Sequence, residues 1–251
     1  MLKISIVSYS NSLPFRWGLE QCADEYDFQI SLDHPADCAK KLRQGQVDVG
    51  LVPVALLASM PELNVITNYG IAAKGEVATV KLYSNQPLDQ VEQVKLDYQS
   101  MSSANLCKIL FKEYWELSPE YVSTSAGFEM KLGAKQAMVV IGDRCFDLNG
   151  QFLYEYDLAL EWEKFTGLPF VFAVWASRKH LTEKELRGLN QSLSLGVKNK
   201  ETALQYLPSS KHKNTREYWS SFIVFELDPN SEKAYQLYLK KLHALQAIVS
   251  R

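Results

Sequence analysis

The chain reads as an α/β protein with largely parallel sheets, folded as two lobes with a ligand cleft between them. Three observations predict this. Short apolar runs alternate with stretches of helical spacing along most of the 251 residues. A helix end, a short connection and a buried strand occur twice, at 41–50 and 131–140, as two lobes of similar build would have them. Segments 84–87 and 174–177 stand where a chain can cross between lobes, which gives residues 1–84 plus 177–251 for one lobe and 85–176 for the other. In such a protein a small ligand is expected at the carboxyl ends of parallel strands.

Each element has its own local signal. Residues 3–7 form a strand that runs into the turn Ser8-Tyr9-Ser10-Asn11-Ser12, and a short helix starts near Pro14 with Phe15 and Leu19 on one face. A helix at 35–44 ends at Gly45, a left-handed stop, before a buried strand at 47–52. Residues 77–83 make a strand that leads into the turn Asn85-Gln86-Pro87, and 94–96 begin a new unit. Ser100-Met101-Ser102-Ser103 opens a helix with Leu106, Ile109, Leu110 and Tyr114 at helical spacing. Strands at 121–124 and 138–141 flank a helix at 126–132. A helix at 157–165 is stopped by Gly167 and Pro169, and 170–175 is a hydrophobic strand. The remainder reads as helical. Thr182-Glu183-Lys184-Glu185 is a capping box, Asp228-Pro229 is a helix start, and Tyr238, Leu242, Leu245 and Val249 share one face of the final helix.

Composition excludes several classes. With 47% apolar and 22% charged residues the chain is an ordinary globular one. A formal charge of −2 without a basic stripe points away from nucleic acid and from anionic membranes. The N-terminus reads as a strand rather than an export signal, and the longest apolar run, 169–176, is too short to span a bilayer, so a cytoplasmic protein is expected. Cys22, Cys38, Cys107 and Cys145 lack a Cys-x-x-Cys pair and read as free thiols. No phosphate loop, histidine pair, acidic metal cluster or nucleophile elbow is present, so neither cofactor nor metal is expected. The sequence carries no signal of oligomeric state.

Four segments can carry chemistry. Ser8 to Pro14 places Ser8, Tyr9 and Asn11 between a strand and a helix, where backbone N–H groups attract anions and Asn11 offers both a donor and an acceptor; a polar turn with a cap has the same composition. Asp97 to Ser103 sets Ser100, Ser102 and Ser103 at a helix start, which suits both a carboxylate cradle and a serine N-cap. Ile141-Gly142-Asp143-Arg144 puts a carboxylate at the end of a buried strand, with Gly142 allowing close backbone approach. Arg144 can grip a carboxylate in bidentate fashion or pair with a neighbouring acid. Thr79 stands in an apolar strand, as either a hydroxyl donor or a β former. The residues alone therefore lead to a two-lobed α/β protein that binds a small anion.

Taken in order, these segments resemble the chorismate dehydratase family of the futalosine route to menaquinone. The likeness runs over residues 3–178: Val7-Ser8-Tyr9-Ser10-Asn11-Ser12-Leu13-Pro14, the strand from Asp48 to Pro53, Gly75-Glu76-Val77, the stretch from Asp97 to Ser103, Ile141-Gly142-Asp143, and Trp162 through Thr166-Gly167-Leu168-Pro169-Phe170-Val171-Phe172-Ala173 to Trp175-Ala176. The resemblance implies the periplasmic-binding-protein type II fold. It also implies a hydro-lyase that dehydrates chorismate to 3-[(1-carboxyvinyl)oxy]benzoate without cofactor or metal. The family's cleft asparagine carries over to Asn11 and its serine-rich helix start to Ser102 and Ser103. The chain departs from the family where Met101 replaces an arginine and where Arg144 and Cys145 replace small residues; Arg144 is the candidate to restore the missing charge. Thr79 keeps the hydroxyl of a family serine.

On this resemblance Asn11 orients the ring, because an amide cannot act as a base near neutral pH, and the proton goes to the substrate's own carboxylate or to Asp143. Ser8, Tyr9, Thr79, Ser100, Ser102, Ser103, Gly142 and Arg144 are the expected substrate contacts. The competing readings are a small-anion-binding protein of the same fold that does no chemistry, and the later enzyme of the same route, which forms dihydroxynaphthoate. The opening Ser8-Tyr9-Ser10-Asn11 does not resemble the latter's motif.

Overall fold

The computed structural model describes residues 1–128 and 132–249. The expected helix at 126–132 and the repeat partner at 131–140 fall partly outside them, as does the side chain of Val249. In chain order the elements are β1 (Leu2–Val7), α1 (Leu13–Gln21), α2 (Ala23–Tyr26), β2 (Phe28–Asp33), α3 (Pro35–Arg43), β3 (Val49–Pro53), α4 (Leu56–Ser59) and β4 (Asn64–Ala73). They continue with β5 (Val80–Ser84), β6 (Gln93–Leu96), α5 (Met101–Glu113), β7 (Glu120–Ser123), β8 (Gln136–Ile141), α6 (Arg144–Leu148), β9 (Tyr154–Asp157) and α7 (Leu158–Thr166). The last are β10 (Phe170–Ser177), α8 (Glu183–Lys198), α9 (Ser209–Ser221), β11 (Val224–Glu226) and α10 (Pro229–Val249).

Contacts divide the chain into two compact units, residues 1–72 with 171–229 and residues 73–170 with 230–251. This division differs from the boundaries expected from sequence in two elements. β5 pairs with β8 and β9 inside the second sheet. Within the same unit, Tyr238 of α10 packs on Trp162 and Phe170. The turn at 84–87 follows a strand already committed to the second unit, so turn chemistry there does not mark the crossing.

The first unit holds a six-stranded sheet in the order β11-β4-β10-β3-β1-β2. β1 runs parallel to β2 and β3, whereas β10 is antiparallel to β3 and β11 antiparallel to β4. β3 is buried along nearly its whole length and reads as a continuous apolar run, whereas β1 leaves Lys3 exposed and buries Ser5 among Leu2, Ile4, Ile6 and Val7. Phe15 and Leu19 of α1 are fully buried, as are Leu189 and Leu193 of α8. The two helices meet at a pair of glycines: a Cβ on Gly18 would stand 2.0 Å from the Ser192 carbonyl oxygen, and one on Gly196 2.0 Å from that of Pro14. α8 starts at the expected capping box, with Thr182 Oγ1 accepting from Glu185 N and the Glu185 carboxylate from Thr182 N. β2, β4 and β11 were not legible; β11 interrupts a region expected to be helical.

The second unit holds a five-stranded sheet in the order β7-β6-β8-β5-β9. β6 is parallel to β7 and β8, and β5 is antiparallel to β8 and β9. Leu106, Ile109 and Leu110 of α5 are fully buried, as the spacing predicts. Asp157 caps α7 by accepting from Ala159 N and Leu160 N, and Gly167 ends it at φ 71°. The strand expected at 77–83 begins only at Val80. Before it the chain is a loop clamped by the other oxygen of Asp157, which accepts from Val77 N at 2.9 Å and Ala78 N at 2.7 Å. Ala78 adopts φ 63° there.

Candidate functional site

In the first unit, the end of β1 and the turn after it carry Ser8, Tyr9 and Asn11. Residues Ser10–Ser12 form a 3₁₀ turn that feeds α1. The turn is fixed from inside. Ser12 is buried, and its hydroxyl donates to the Val7 carbonyl and, at 2.8 Å, to that of Tyr9. The Trp219 indole N–H donates to the Ser10 carbonyl at 3.1 Å, and Ser8 N to that of Asp33 at 3.2 Å. Ser8 is exposed, while Tyr9 and Asn11 are half-buried. Among the described residues no hydrogen bond engages the Asn11 side-chain amide. A rigid turn thus presents a polar amide that the turn itself does not use.

In the second unit the remaining candidates converge at one end of the sheet. Because β6 and β8 are parallel, their carboxyl ends lie side by side; because β5 is antiparallel to β8, its beginning meets the end of β8. Thr79, Asp97 to Ser103 and Ile141 to Arg144 are brought together in this way. Gly142 N donates to the Thr79 carbonyl at 2.8 Å, and Gly142 takes φ 74°, a left-handed conformation that costs other residues more. Thr79 is buried and stands one residue before its strand rather than inside it.

The fastener of this cluster is Asp97, which sequence reasoning quoted only as part of a motif. Its buried carboxylate accepts from Gln99 N at 2.9 Å, Ile141 N at 3.0 Å and the Arg144 guanidinium at 2.5 Å. Burial raises this carboxyl above its ordinary value, while the Gln99 N–H, the Arg144 charge and the Ile141 N–H draw it back. Of the two expectations for Arg144, the structure contains the pairing with a neighbouring acid. The guanidinium also lies 5.7 Å from the Tyr98 ring centroid and 5.8 Å from that of Phe128. An acid directly after a short alternating strand and just before a serine-rich helix start was the available signal.

Of the two readings of the serine segment, α5 contains the N-cap. Ser100 is its N-cap, with its hydroxyl accepting from Ser103 N at 3.0 Å. Ser102 and Ser103 are buried, whereas Met101 is exposed. Asp143 is exposed at the start of α6 and makes no side-chain cap.

A family profile described as menaquinone biosynthesis matches residues 2–244. A chorismate dehydratase of Thermus thermophilus is 31% identical over 170 residues, a stretch covering 61% of this chain and 62% of that protein. Among solved structures, a protein of Archaeoglobus fulgidus aligns over 98% of both chains with a TM-score of 0.74 and 11% identity. A Candida albicans protein described as having the generic periplasmic binding protein fold aligns over 97% of this chain and 90% of its own, with a TM-score of 0.66 and 14% identity. The aliphatic sulphonate binding protein SsuA of Escherichia coli aligns over 98% and 92%, with a TM-score of 0.64 and 13% identity. These structural likenesses establish the periplasmic-binding-protein fold. Among the described residues no helix is long and apolar enough to cross a membrane.

Proposed function

Because the chain belongs to the menaquinone biosynthesis family, we propose that it is a hydro-lyase converting chorismate to 3-[(1-carboxyvinyl)oxy]benzoate. The observation that carries this reading is the 31% identity with the chorismate dehydratase of Thermus thermophilus. The reaction takes the ring hydroxyl and one ring hydrogen away as water, and the new double bond completes a benzene ring. Aromatisation supplies the driving force, so the protein's work is to orient the diene and guide proton loss.

In this reading the first-turn N–H groups of α5, with Ser100, Ser102 and Ser103, hold one substrate carboxylate at the positive end of the helix. Arg144, steadied by Asp97, supplies the positive charge that Met101 does not. Thr79 and Gly142 border the same carboxylate. Asn11, with Ser8 and Tyr9 beside it, orients the reacting part of the ring by hydrogen bonds. The proton leaves to the substrate's own side-chain carboxylate or to Asp143. Turnover retained in Asp143→Asn assigns the proton to the substrate; turnover lost assigns it to the protein. The reading carries a cytoplasmic location with it, since a biosynthetic enzyme works where its soluble substrate is made.

The test is purified protein mixed with chorismate and followed by mass spectrometry. A new benzoate with the mass of chorismate less water is expected. Chorismate that raises the melting temperature but stays intact would make this a binding protein and overturn the assignment.

A further inference from the structure

We propose that Tyr238 is a positioning residue whose hydroxyl fixes the first turn of α5, the turn that receives the substrate carboxylate. The inference rests on the reading of that turn given above. Tyr238 lies on α10 in the same unit as α5 and is 1% exposed. Its ring packs edge-on against Trp162, at 6.2 Å between centroids, and against Phe170, at 5.2 Å. Two perpendicular neighbours fix the ring plane and aim the hydroxyl. That hydroxyl donates to the backbone carbonyl of Ser102 at 3.1 Å, across 136 residues of sequence. A carbonyl oxygen has two lone pairs, so Ser102 can accept this bond beside its own helical one. Burial pushes the phenol far above its ordinary value, so it remains a donor at any working pH.

The same turn is also held by Ser100, through Ser103 N at 3.0 Å, and the loop before it by Asp97, through Gln99 N at 2.9 Å. The turn is therefore gripped from its own loop and from a helix at the other end of the sequence. A buried hydroxyl could have been satisfied by any carbonyl; here it meets one in the turn whose N–H directions decide anion binding. Sub-ångström misplacement of such donors is enough to weaken a bound geometry.

The experiment compares Tyr238→Phe, which keeps the ring, with Leu242→Ala, one turn further along α10 at a buried apolar position. Tyr238→Phe is expected to raise the KM for chorismate roughly threefold to tenfold, the size of one hydrogen bond, with kcat within about twofold of wild type. It should also speed amide hydrogen exchange at Ser102 and Ser103. Leu242→Ala should lower the melting temperature without moving KM. Tyr238→Phe with unchanged KM and unchanged exchange in that turn would overturn the proposal, and so would a KM change matched by Leu242→Ala. If wild-type protein leaves chorismate intact, the dehydratase reading fails, and the exchange measurement alone decides whether Tyr238 fixes the turn.

Discussion

At the scale of single residues, Asn11 and Asp97 make opposite claims on the structure. The Asn11 amide is engaged by no described neighbour, so removing it should leave stability nearly unchanged. If it orients the ring, Asn11→Ala should lower kcat by about a hundredfold, in the range seen when one preorganised donor is lost. Product formation and chorismate binding measured separately would check this, and full turnover in the variant would remove Asn11 from the mechanism. Asp97 is the reverse case. Asp97→Ala would remove the carboxylate that the Gln99 and Ile141 N–H groups and the Arg144 guanidinium share. A cost of about 2–4 kcal/mol is expected, the side-chain exposure of Arg144 reducing what a fully buried ion pair would show. Urea denaturation would read it as a lower midpoint at constant slope.

Among elements, Asp157 joins the start of α7 to a loop that a strand assignment at 77–83 had merged with β5. One carboxylate oxygen caps α7 and the other holds the loop at Val77 and Ala78, so Asp157→Ala should cost about 3 kcal/mol, more than a helix cap alone. An unchanged urea midpoint would show that neither the cap nor the loop clamp matters to stability. The same residue explains where sequence reading stopped. The capping box at Thr182, the stops at Gly45 and Gly167 and the helical face of α5 are local devices, and each was legible because a few adjacent residues determine it. β4 and β9 were not: half of β4 is only partly buried, and β9 is a four-residue edge strand. The candidate segments could be named because strand ends and helix starts have their own composition. Their convergence on Asp97 could not be read, since the register of β8 against β5 and β6 makes it. The partner of Tyr238 was equally invisible, as amphipathic spacing marks a buried face without saying what it touches.

Across the whole molecule, the carboxylates held away from their ordinary values divide by unit, and the two pairs respond to acid with opposite sign. In the first unit burial alone would raise Asp33 and Glu185, but Lys41, Ser5 and Ser31 outweigh it at Asp33, and Thr182 and Lys179 outweigh it at Glu185, so both lie below their ordinary values. A lowered carboxyl binds fewer protons folded than unfolded. Its stabilisation is complete above the unfolded value near pH 4 and is lost as pH falls through the folded one. In the second unit burial is the largest influence on Asp97 and Asp157, and it leaves both raised despite their N–H partners. A raised carboxyl binds more protons folded than unfolded, so its contribution is complete below about pH 4 and declines as pH rises through the folded value. Asp33→Asn should therefore flatten the loss of melting temperature below about pH 4, whereas Asp97→Asn should flatten a decline on the neutral side of that value. Melting curves of the two variants from about pH 3 to 7, set against wild type, would check both signs. Equal flattening by both variants in the same window would mean that burial does not govern Asp97, because a carboxyl ruled by its Arg144 partner would titrate in the direction of Asp33.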